Sequence, residues 1–155
     1  MTTRDSALSG TLRQSYTLAR GQLVIALAWS SFLTFLTIAR SRTQGWPGAA
    51  LGLAGAGLRV AGAGIWFSVG WLAVSEHRRS EREALAAGGL VGLAAAVFGF
   101  ASGLLRRAFA PESFGEDGPP TVERMAAALP VSLLLAVAAG GLLAALGARE
   151  AERRG

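Results

Sequence analysis

The chain of 155 residues contains no cysteine and no lysine. Without cysteine it has no disulfide, no thiolate metal ligand and no cysteine nucleophile, so the sequence carries no signal for a redox compartment. All fifteen basic residues are arginine, and glycine occurs 21 times. Together with the abundant alanine, this usage indicates a GC-rich genome, which we expect to be bacterial, more than a chemical requirement.

Side chains that commonly carry chemistry are also scarce. Histidine occurs once, at His77 beside two arginines, where contact with water or headgroups is expected instead of haem or pigment ligation. A metal site needs several histidine, cysteine or carboxylate ligands. Ser102 follows an alanine and precedes a glycine, but no buried histidine or lysine is present to activate it as a nucleophile. We therefore expect no metal, no cofactor and no catalytic residue, and a protein that is not an enzyme.

Charge is rare as well, because only 16% of the residues are charged whereas 52% are hydrophobic. The charges cluster between long uncharged runs and do not alternate with apolar residues as on a soluble amphipathic helix. The pattern predicts an all-α fold, an integral membrane four-helix bundle with short loops. Residues 1–155 would form a single transmembrane domain that crosses the bilayer at about 21–39, 58–76, 84–105 and 125–147.

The net charge of +5 does not indicate nucleic-acid binding, because no basic residues gather on a soluble face with interleaved aromatics. The expected partners are membrane lipids and either other membrane-protein subunits or further copies of the chain. Arginines that flank membrane helices explain the basicity. Apart from Glu76, at the boundary of the second crossing, none of the ten acids lies in a predicted crossing, which counts against a proton-driven carrier.

Local signals predict where the helices begin. Thr11 and Gln14 have the spacing of a capping box, which predicts that the first helix begins near residue 12. Ser80 and Glu83 form a second such pair at the start of the third crossing. Thr121 is a candidate cap for the fourth helix, which follows a loop at 106–124. Pro130 is expected to lie in the first turns of that helix.

Arg59 is the one charge between Arg42 and Glu76. Counting back from Glu76 at 1.5 Å per residue gives a rise of about 25 Å, which predicts that the Arg59 backbone lies near the boundary of a ~30 Å core. Two interpretations remain open. The guanidinium snorkels to headgroups, or it points into the bundle and binds an anion. Residues 46–58 would then continue as a helical extension or as a surface segment. The candidate contacts for lipid headgroups or a partner are Arg59, Arg40 and Arg42.

The distribution of arginine predicts the orientation. Four crossings place both termini and the loop 76–83 on one side, and this side carries nine arginines against six on the other. The positive-inside bias then predicts cytoplasmic termini, with a cytoplasmic segment at 1–20 and an outer loop at 106–124. The expected location is the bacterial inner membrane. The nine arginines are Arg4, Arg13, Arg20, Arg78, Arg79, Arg82, Arg149, Arg153 and Arg154.

Small residues recur at four-residue spacing in the third and fourth crossings. Such rows let two helix backbones approach closely, and they either hold the four helices together or dock a partner. Hydroxyl side chains are expected to add polar contacts between the helices. The candidate packing residues are Gly88, Gly92, Gly99, Gly103 and Gly140. The candidate hydroxyl residues are Ser30, Ser31, Thr34, Thr37, Ser68, Ser102 and Ser132.

These features support three hypotheses about function. The first is a non-enzymatic accessory or structural subunit that packs against other helices in a larger membrane complex, which would be respiratory, photosynthetic or transport-related. The second is a small homo-oligomeric channel or transporter. The third is an enzyme that acts on lipid headgroups near Arg40, Arg42 and Arg59. The absence of a catalytic group and the many packing faces favour the first hypothesis.

Overall fold

The computed structural model describes the backbone of residues 3–43, 45–114 and 117–155, and the side chains of 19–43, 48–57, 61–114 and 117–155. Its described residues form four α-helices and no strand. The helices are α1 (Thr3–Ser41), α2 (Gly45–Ser75), α3 (Glu81–Phe109) and α4 (Val122–Arg154). A short 3-10 helix, Pro111–Phe114, lies between α3 and α4. The prediction of an all-α, four-helix fold is confirmed.

All four helices contain a segment long and apolar enough to cross a membrane. These segments are Ala19–Ser41, Gly48–Ser75, Glu81–Phe109 and Val122–Arg154. The chain therefore has the composition of a multi-pass membrane protein. Large apolar side chains are exposed along α1, α3 and α4, as expected for surfaces that contact lipid.

Two helix starts agree with the sequence, and one does not. Ser80 accepts a hydrogen bond from the amide of Glu83, whose carboxylate accepts from the amide of Ser80, so the predicted capping box is confirmed. Thr121 caps α4 through the amide of Arg124. The start predicted near residue 12 is wrong, because α1 begins at Thr3 and continues without interruption to Ser41. Thr11 and Gln14 are interior to that helix, where a local capping pattern does not interrupt a continuous backbone ladder.

The helices pack unequally. α3 contacts the other three helices, and so does α2, whereas α1 and α4 share no contact among the described residues. The bundle is therefore a four-cornered arrangement in which α2 and α3 form the short diagonal. Its most buried side chains are small ones such as Ala84, Ala87, Ala144 and Ala148. Close backbone approach, and not interlocked large side chains, consequently holds the helices together.

The second helix is longer than its predicted crossing. α2 spans 31 residues from Gly45, so residues 46–58 are helical and the surface-segment alternative is wrong. At 1.5 Å per residue this helix is about 46 Å long. The interval predicted for the second crossing, 58–76, covers only the C-terminal part of the candidate span Gly48–Ser75.

Candidate functional site

Three of the five candidate packing glycines meet at one crossing of α3 and α4. A Cβ added to Gly88 would collide with the carbonyl oxygen of Gly140, and a Cβ added to Gly140 would collide with the carbonyl of Gly88. Gly92 lies in the same way against the carbonyl of Ala136. These glycines lie in an interface within the chain, so a partner helix would have to use another surface.

The other two candidates lie further along α3 and are less enclosed. A Cβ on Gly103 would come within 2.7 Å of Cε of Met125, the flexible end of a side chain that can move. A Cβ on Gly99 would meet nothing within 4 Å. The tight packing of α3 on α4 is therefore confined to the half of the bundle that contains Gly88, and the helices separate toward Gly99.

α4 also packs closely on α2. A Cβ on Gly70 would collide with the carbonyl of Ala144, and a Cβ on Gly147 would collide with the carbonyl of Phe67. Sequence reasoning did not identify Gly70 or Gly147. Gly70 has a tryptophan and a valine at four-residue spacing, and Gly147 has only Ala151 on one side. Their role follows only from the relative positions of α2 and α4.

The candidate arginines Arg40 and Arg42 are at the end of α1, but they face different neighbours. The Arg40 guanidinium lies over α2, where its Cζ would be 3.0 Å from a Cβ on Gly52. Arg42 Nη2 donates to the carbonyl of Phe109 over 3.2 Å, and its Nε lies 3.5 Å from Glu112 Oε1. Both arginine residues are exposed at the end of the bundle. Arg40 is thus an α1–α2 contact, and Arg42 joins α1 to the loop after α3.

Arg59 has a described backbone within α2, and its side chain lies outside the described residues. Gly62 of α2 lies beside Trp29 of α1, and Gly52 lies beside Arg40. Between these two contacts, the backbone of Arg59 is level with the middle of the α1 span Ala19–Ser41. The expected place of Arg59 near the bilayer boundary depends on a crossing that begins at residue 58, and it stays a prediction.

The loop between α3 and α4 is held by the last arginines of α3. Arg106 donates from Nε to Ser113 Oγ over 3.0 Å and from Nη2 to the Ser113 carbonyl over 2.9 Å. Its Cζ lies 4.6 Å from the ring centroid of Phe114, a cation–π geometry. Arg107 donates to the carbonyls of Pro119 and Pro120. These bonds fix both arginine side chains at the end of the bundle.

Contrary to the prediction, most hydroxyl side chains within the helices do not form a hydrogen bond to another helix. Ser31, Thr34, Thr37, Ser68 and Ser132 each donate to a carbonyl three or four residues earlier in their own helix. The prediction that they form contacts between helices is therefore wrong, because this local acceptor satisfies each hydroxyl in an apolar environment. Ser30 and Ser102 differ, since neither side chain makes such a bond among the described residues.

Ser30 and Ser102 face a cavity between α1 and α3, which we call the crevice. It has a volume of 190 Å³. Its two ends are marked by Ser30 and by Arg106. The crevice is lined by Ser30, Leu33, Thr34, Thr37, Phe98, Gly99, Ser102, Gly103 and Arg106.

One surface of α2 differs from every other exposed helix surface. We call it the α2 face; its residues are Ala50, Ala54, Gly57, Ala61 and Gly64. They alternate by four and three residues and therefore share one side of the helix. All five are exposed, and a Cβ on Gly57 or Gly64 would meet nothing within 4 Å. On the described part of α2, Leu53 is the one large apolar side chain that is strongly exposed.

The described residues contain no group of three or more histidine, cysteine or carboxylate side chains that could hold a metal ion. His77 is exposed just beyond the end of α2. The two features that stand out are thus the α2 face and the crevice. No protein-family model, curated protein or solved structure matches the chain.

Proposed function

We propose that the protein is a non-enzymatic accessory or structural subunit of a larger membrane complex, and that it binds a helix of another subunit through the α2 face. The observation that carries this proposal is the exposure of five small residues on one side of α2. The complex would be respiratory, photosynthetic or transport-related.

The energetics of helix association favour the α2 face over the other exposed surfaces. Lipid chains are as apolar as leucine, so helices in a membrane associate through close van der Waals packing and not through hydrophobic burial. Exposed residues such as Phe35 of α1 and Leu134 of α4 hold a neighbouring backbone at a distance. The five residues of the α2 face carry no side chain longer than a methyl group over about 21 Å of helix, and the exposed Leu53 lies at the edge of this surface.

No described residue of the chain covers this surface. From Ala49 to Ser68, none of the described side chains is buried, whereas Val69 and Ala73 near the end of α2 are fully enclosed by other helices. A partner helix on the α2 face would bury the part of α2 that has the fewest contacts. It would also leave the α3–α4 and α2–α4 crossings unchanged.

Extraction in mild detergent followed by native mass spectrometry tests the proposal. We expect a complex that contains this chain and at least one different membrane protein. The matched variants are Ala61→Leu on the α2 face and Ala138→Leu on the exposed side of α4. Ala61→Leu should release the chain as a monomer, and Ala138→Leu should not. A wild-type chain that is always monomeric would contradict the proposal.

A second candidate function is a small homo-oligomeric channel or transporter. The observation that favours it is the crevice, whose lining includes the polar residues Ser30, Ser102 and Arg106. In that case the same mass-spectrometry experiment yields a single oligomer of identical chains. Its mass therefore separates the two candidates directly.

The proposed location is a bacterial inner membrane with cytoplasmic termini. The arginines at the end of the bundle that contains the α2–α3 loop support this location. Arg149 of α4 pairs there with Glu81 of α3 over 2.8 Å, and Arg154 pairs with Glu150. An excess of arginine is typical of the cytoplasmic side.

A further inference from the structure

Ser102 is the buried polar residue of the described core, and it lines the crevice. It is 7% exposed, and its hydroxyl makes no hydrogen bond to any described residue. Other hydroxyls of these helices donate to a carbonyl four residues earlier, which for Ser102 would be that of Phe98. A buried hydroxyl that leaves this bond unmade costs free energy, so Ser102 has an unused donor that a bound molecule would satisfy.

Ser30 has a second hydroxyl of this kind, on the α1 wall of the crevice. The residue is half-buried, and its side chain makes no hydrogen bond within the part of the chain that the structure describes. The adjacent Ser31 is exposed, does not line the crevice, and donates to the carbonyl of Leu27 over 2.8 Å. Of these two neighbours, only the serine that lines the crevice leaves its local acceptor unused. Both unused groups are donors, so the molecule that satisfies them must present an acceptor atom.

Two apolar cavities adjoin the crevice. The second cavity has a volume of 210 Å³, shares Ser30 and Leu33 with the crevice, and has Trp29 and Trp66 in its walls. The third cavity has a volume of 460 Å³, shares Gly99 with the crevice and shares Trp66 with the second cavity. The three spaces are therefore contiguous along shared walls, and their combined volume exceeds what one polar group would occupy.

Gly99 keeps this space open to the bilayer. It continues the α3 row of Gly88 and Gly92, but a Cβ on Gly99 would meet nothing within 4 Å, whereas the other two pack against α4. Gly99 is also exposed, so the space opens on the surface of the bundle that would contact lipid. A membrane-dissolved molecule can therefore enter from the side.

The charges around the cavities exclude a charged ligand. Arg106 is the one charged residue among their described walls, and no carboxylate lines them. The Arg106 guanidinium is already engaged by the α3–α4 loop, through two hydrogen bonds to Ser113 and a 4.6 Å approach to the ring centroid of Phe114. Ser102 lies one turn deeper on α3, about 6 Å along the helix axis. A charged head at Ser102 would therefore lack a counter-charge in an apolar environment, which is costly.

We propose that the crevice and its two adjoining cavities bind an uncharged lipid that ends in a carbonyl group, with the carbonyl oxygen at Ser102 and Ser30 and the apolar chain along Trp66. A carbonyl oxygen is a strong uncharged acceptor and suits hydroxyl donors. The apolar walls pack against the chain through dispersion contacts. A neutral acyl ester and a prenyl quinone both have this chemistry. No residue of the α2 face lines these cavities, so the site is independent of the proposed partner surface.

Quenching of tryptophan fluorescence by brominated lipids tests this site. The Trp46→Phe/Trp71→Phe variant, in which only Trp29 and Trp66 of the four tryptophans report, is reconstituted in vesicles of a dialkyl phosphatidylcholine, which has no ester carbonyl. We expect saturable quenching by methyl dibromostearate and about tenfold weaker binding of dibromooctadecane, which lacks the carbonyl. Dibromostearate, ionised at about pH 9, should also bind at least about tenfold more weakly than the ester. Equal quenching by ester and hydrocarbon, or tighter binding of the ionised acid, would contradict an uncharged carbonyl head.

A thermodynamic cycle assigns the carbonyl to the two serines. Ser30→Ala/Ser102→Ala should remove the preference for the ester over the hydrocarbon and leave the affinity for the hydrocarbon unchanged. Thr34→Val is the matched control, because Thr34 also lines the crevice but already donates to the Ser30 carbonyl over 2.9 Å. A double serine variant that keeps the full preference for the ester would overturn the proposed place of the head.

Glycine variants locate the chain. Gly99→Leu should abolish saturable quenching, because its side chain would fill space shared by two of the cavities. Gly21→Leu is the matched control, since a Cβ on Gly21 also meets nothing within 4 Å and Gly21 lines none of the three cavities. Unsaturable quenching that is the same in Gly99→Leu and in the parent protein would overturn the site, because it would report ordinary contact with bulk lipid.

A parallel titration distinguishes the two sources of the carbonyl. A decyl-substituted benzoquinone, which itself quenches tryptophan, replaces the brominated ester in the same vesicles. Tighter saturable binding of the quinone would identify a prenyl quinone as the ligand, and tighter binding of the ester would identify a neutral acyl lipid. If neither probe quenches saturably, the proposal is wrong.

Discussion

Gly88 of α3 and Gly140 of α4 face each other so closely that a Cβ on either residue would collide with the carbonyl oxygen of the other. This reciprocal contact lies between two long helices that share the most extensive interface of the bundle. Because the obstructing atoms belong to the backbone, neither helix can make room through a side-chain rotation. The crossing therefore depends on glycine at both positions.

Replacing either glycine should separate α3 from α4. We expect Gly88→Leu or Gly140→Leu to lower the free energy of unfolding by about 3 kcal/mol, the upper range for overpacking of a core. Denaturation in mixed micelles, followed by far-UV circular dichroism and tryptophan fluorescence, measures the change. Gly21→Leu is the control, because its Cβ would meet nothing within 4 Å. Equal stability of the Gly88→Leu and Gly21→Leu variants would show that the crossing is not required.

The cap at Ser80 gives a second prediction. Ser80→Ala removes the hydroxyl that accepts from the amide of Glu83, and an N-cap of this kind contributes about 1 kcal/mol. We expect faster hydrogen exchange confined to the first turn of α3, measured by mass spectrometry.

Ser75→Ala is the control for that measurement. The Ser75 hydroxyl donates to the carbonyl of Trp71 in the last turn of α2, and the residue is exposed, so its removal should change stability by less than about 0.5 kcal/mol. If exchange in the first turn of α3 does not respond to Ser80→Ala, the cap is not what fixes that helix start.

The orientation of the bundle can be measured without background labelling, because the chain contains no cysteine. Asp117→Cys and Glu152→Cys place a thiol at two exposed positions, the loop before α4 and the end of α4. With cytoplasmic termini, a membrane-impermeant maleimide should label Asp117→Cys in intact cells and Glu152→Cys only after permeabilisation. The reverse pattern would contradict the proposed orientation.

The sequence was most informative where a signal is local. The capping pair Ser80 and Glu83 predicted the start of α3, and long uncharged runs predicted four apolar helices. A local signal failed for the first helix, where Thr11 and Gln14 match a cap but lie inside α1. A capping pattern only permits a helix start, and a continuous ladder of backbone bonds overrides it.

The candidate sites were less predictable because they depend on how helices lie against each other. Repeated glycines on α3 indicated close packing, but only the three-dimensional contacts distinguish the enclosed Gly88 from the open Gly99. The position of Arg59 along the bundle depends on how α1 and α2 are aligned. Counting residues along one helix does not give this alignment. The crevice could not be predicted, because the sequence does not show which serine hydroxyls bond to a carbonyl of their own helix. That depends on the side-chain rotamer.

Photo-crosslinking from the α2 face tests the central claim most directly. Benzophenone maleimide is attached to Ala61→Cys or, as a control, to Ala138→Cys on the exposed side of α4, and native membranes are then irradiated. The two positions have comparable heights, because α2 and α4 run parallel with Gly70 beside Ala144. We predict a discrete crosslinked product with another membrane protein from Ala61→Cys and mainly lipid adducts from Ala138→Cys. Lipid adducts alone from Ala61→Cys would contradict the claim that the α2 face binds a partner helix.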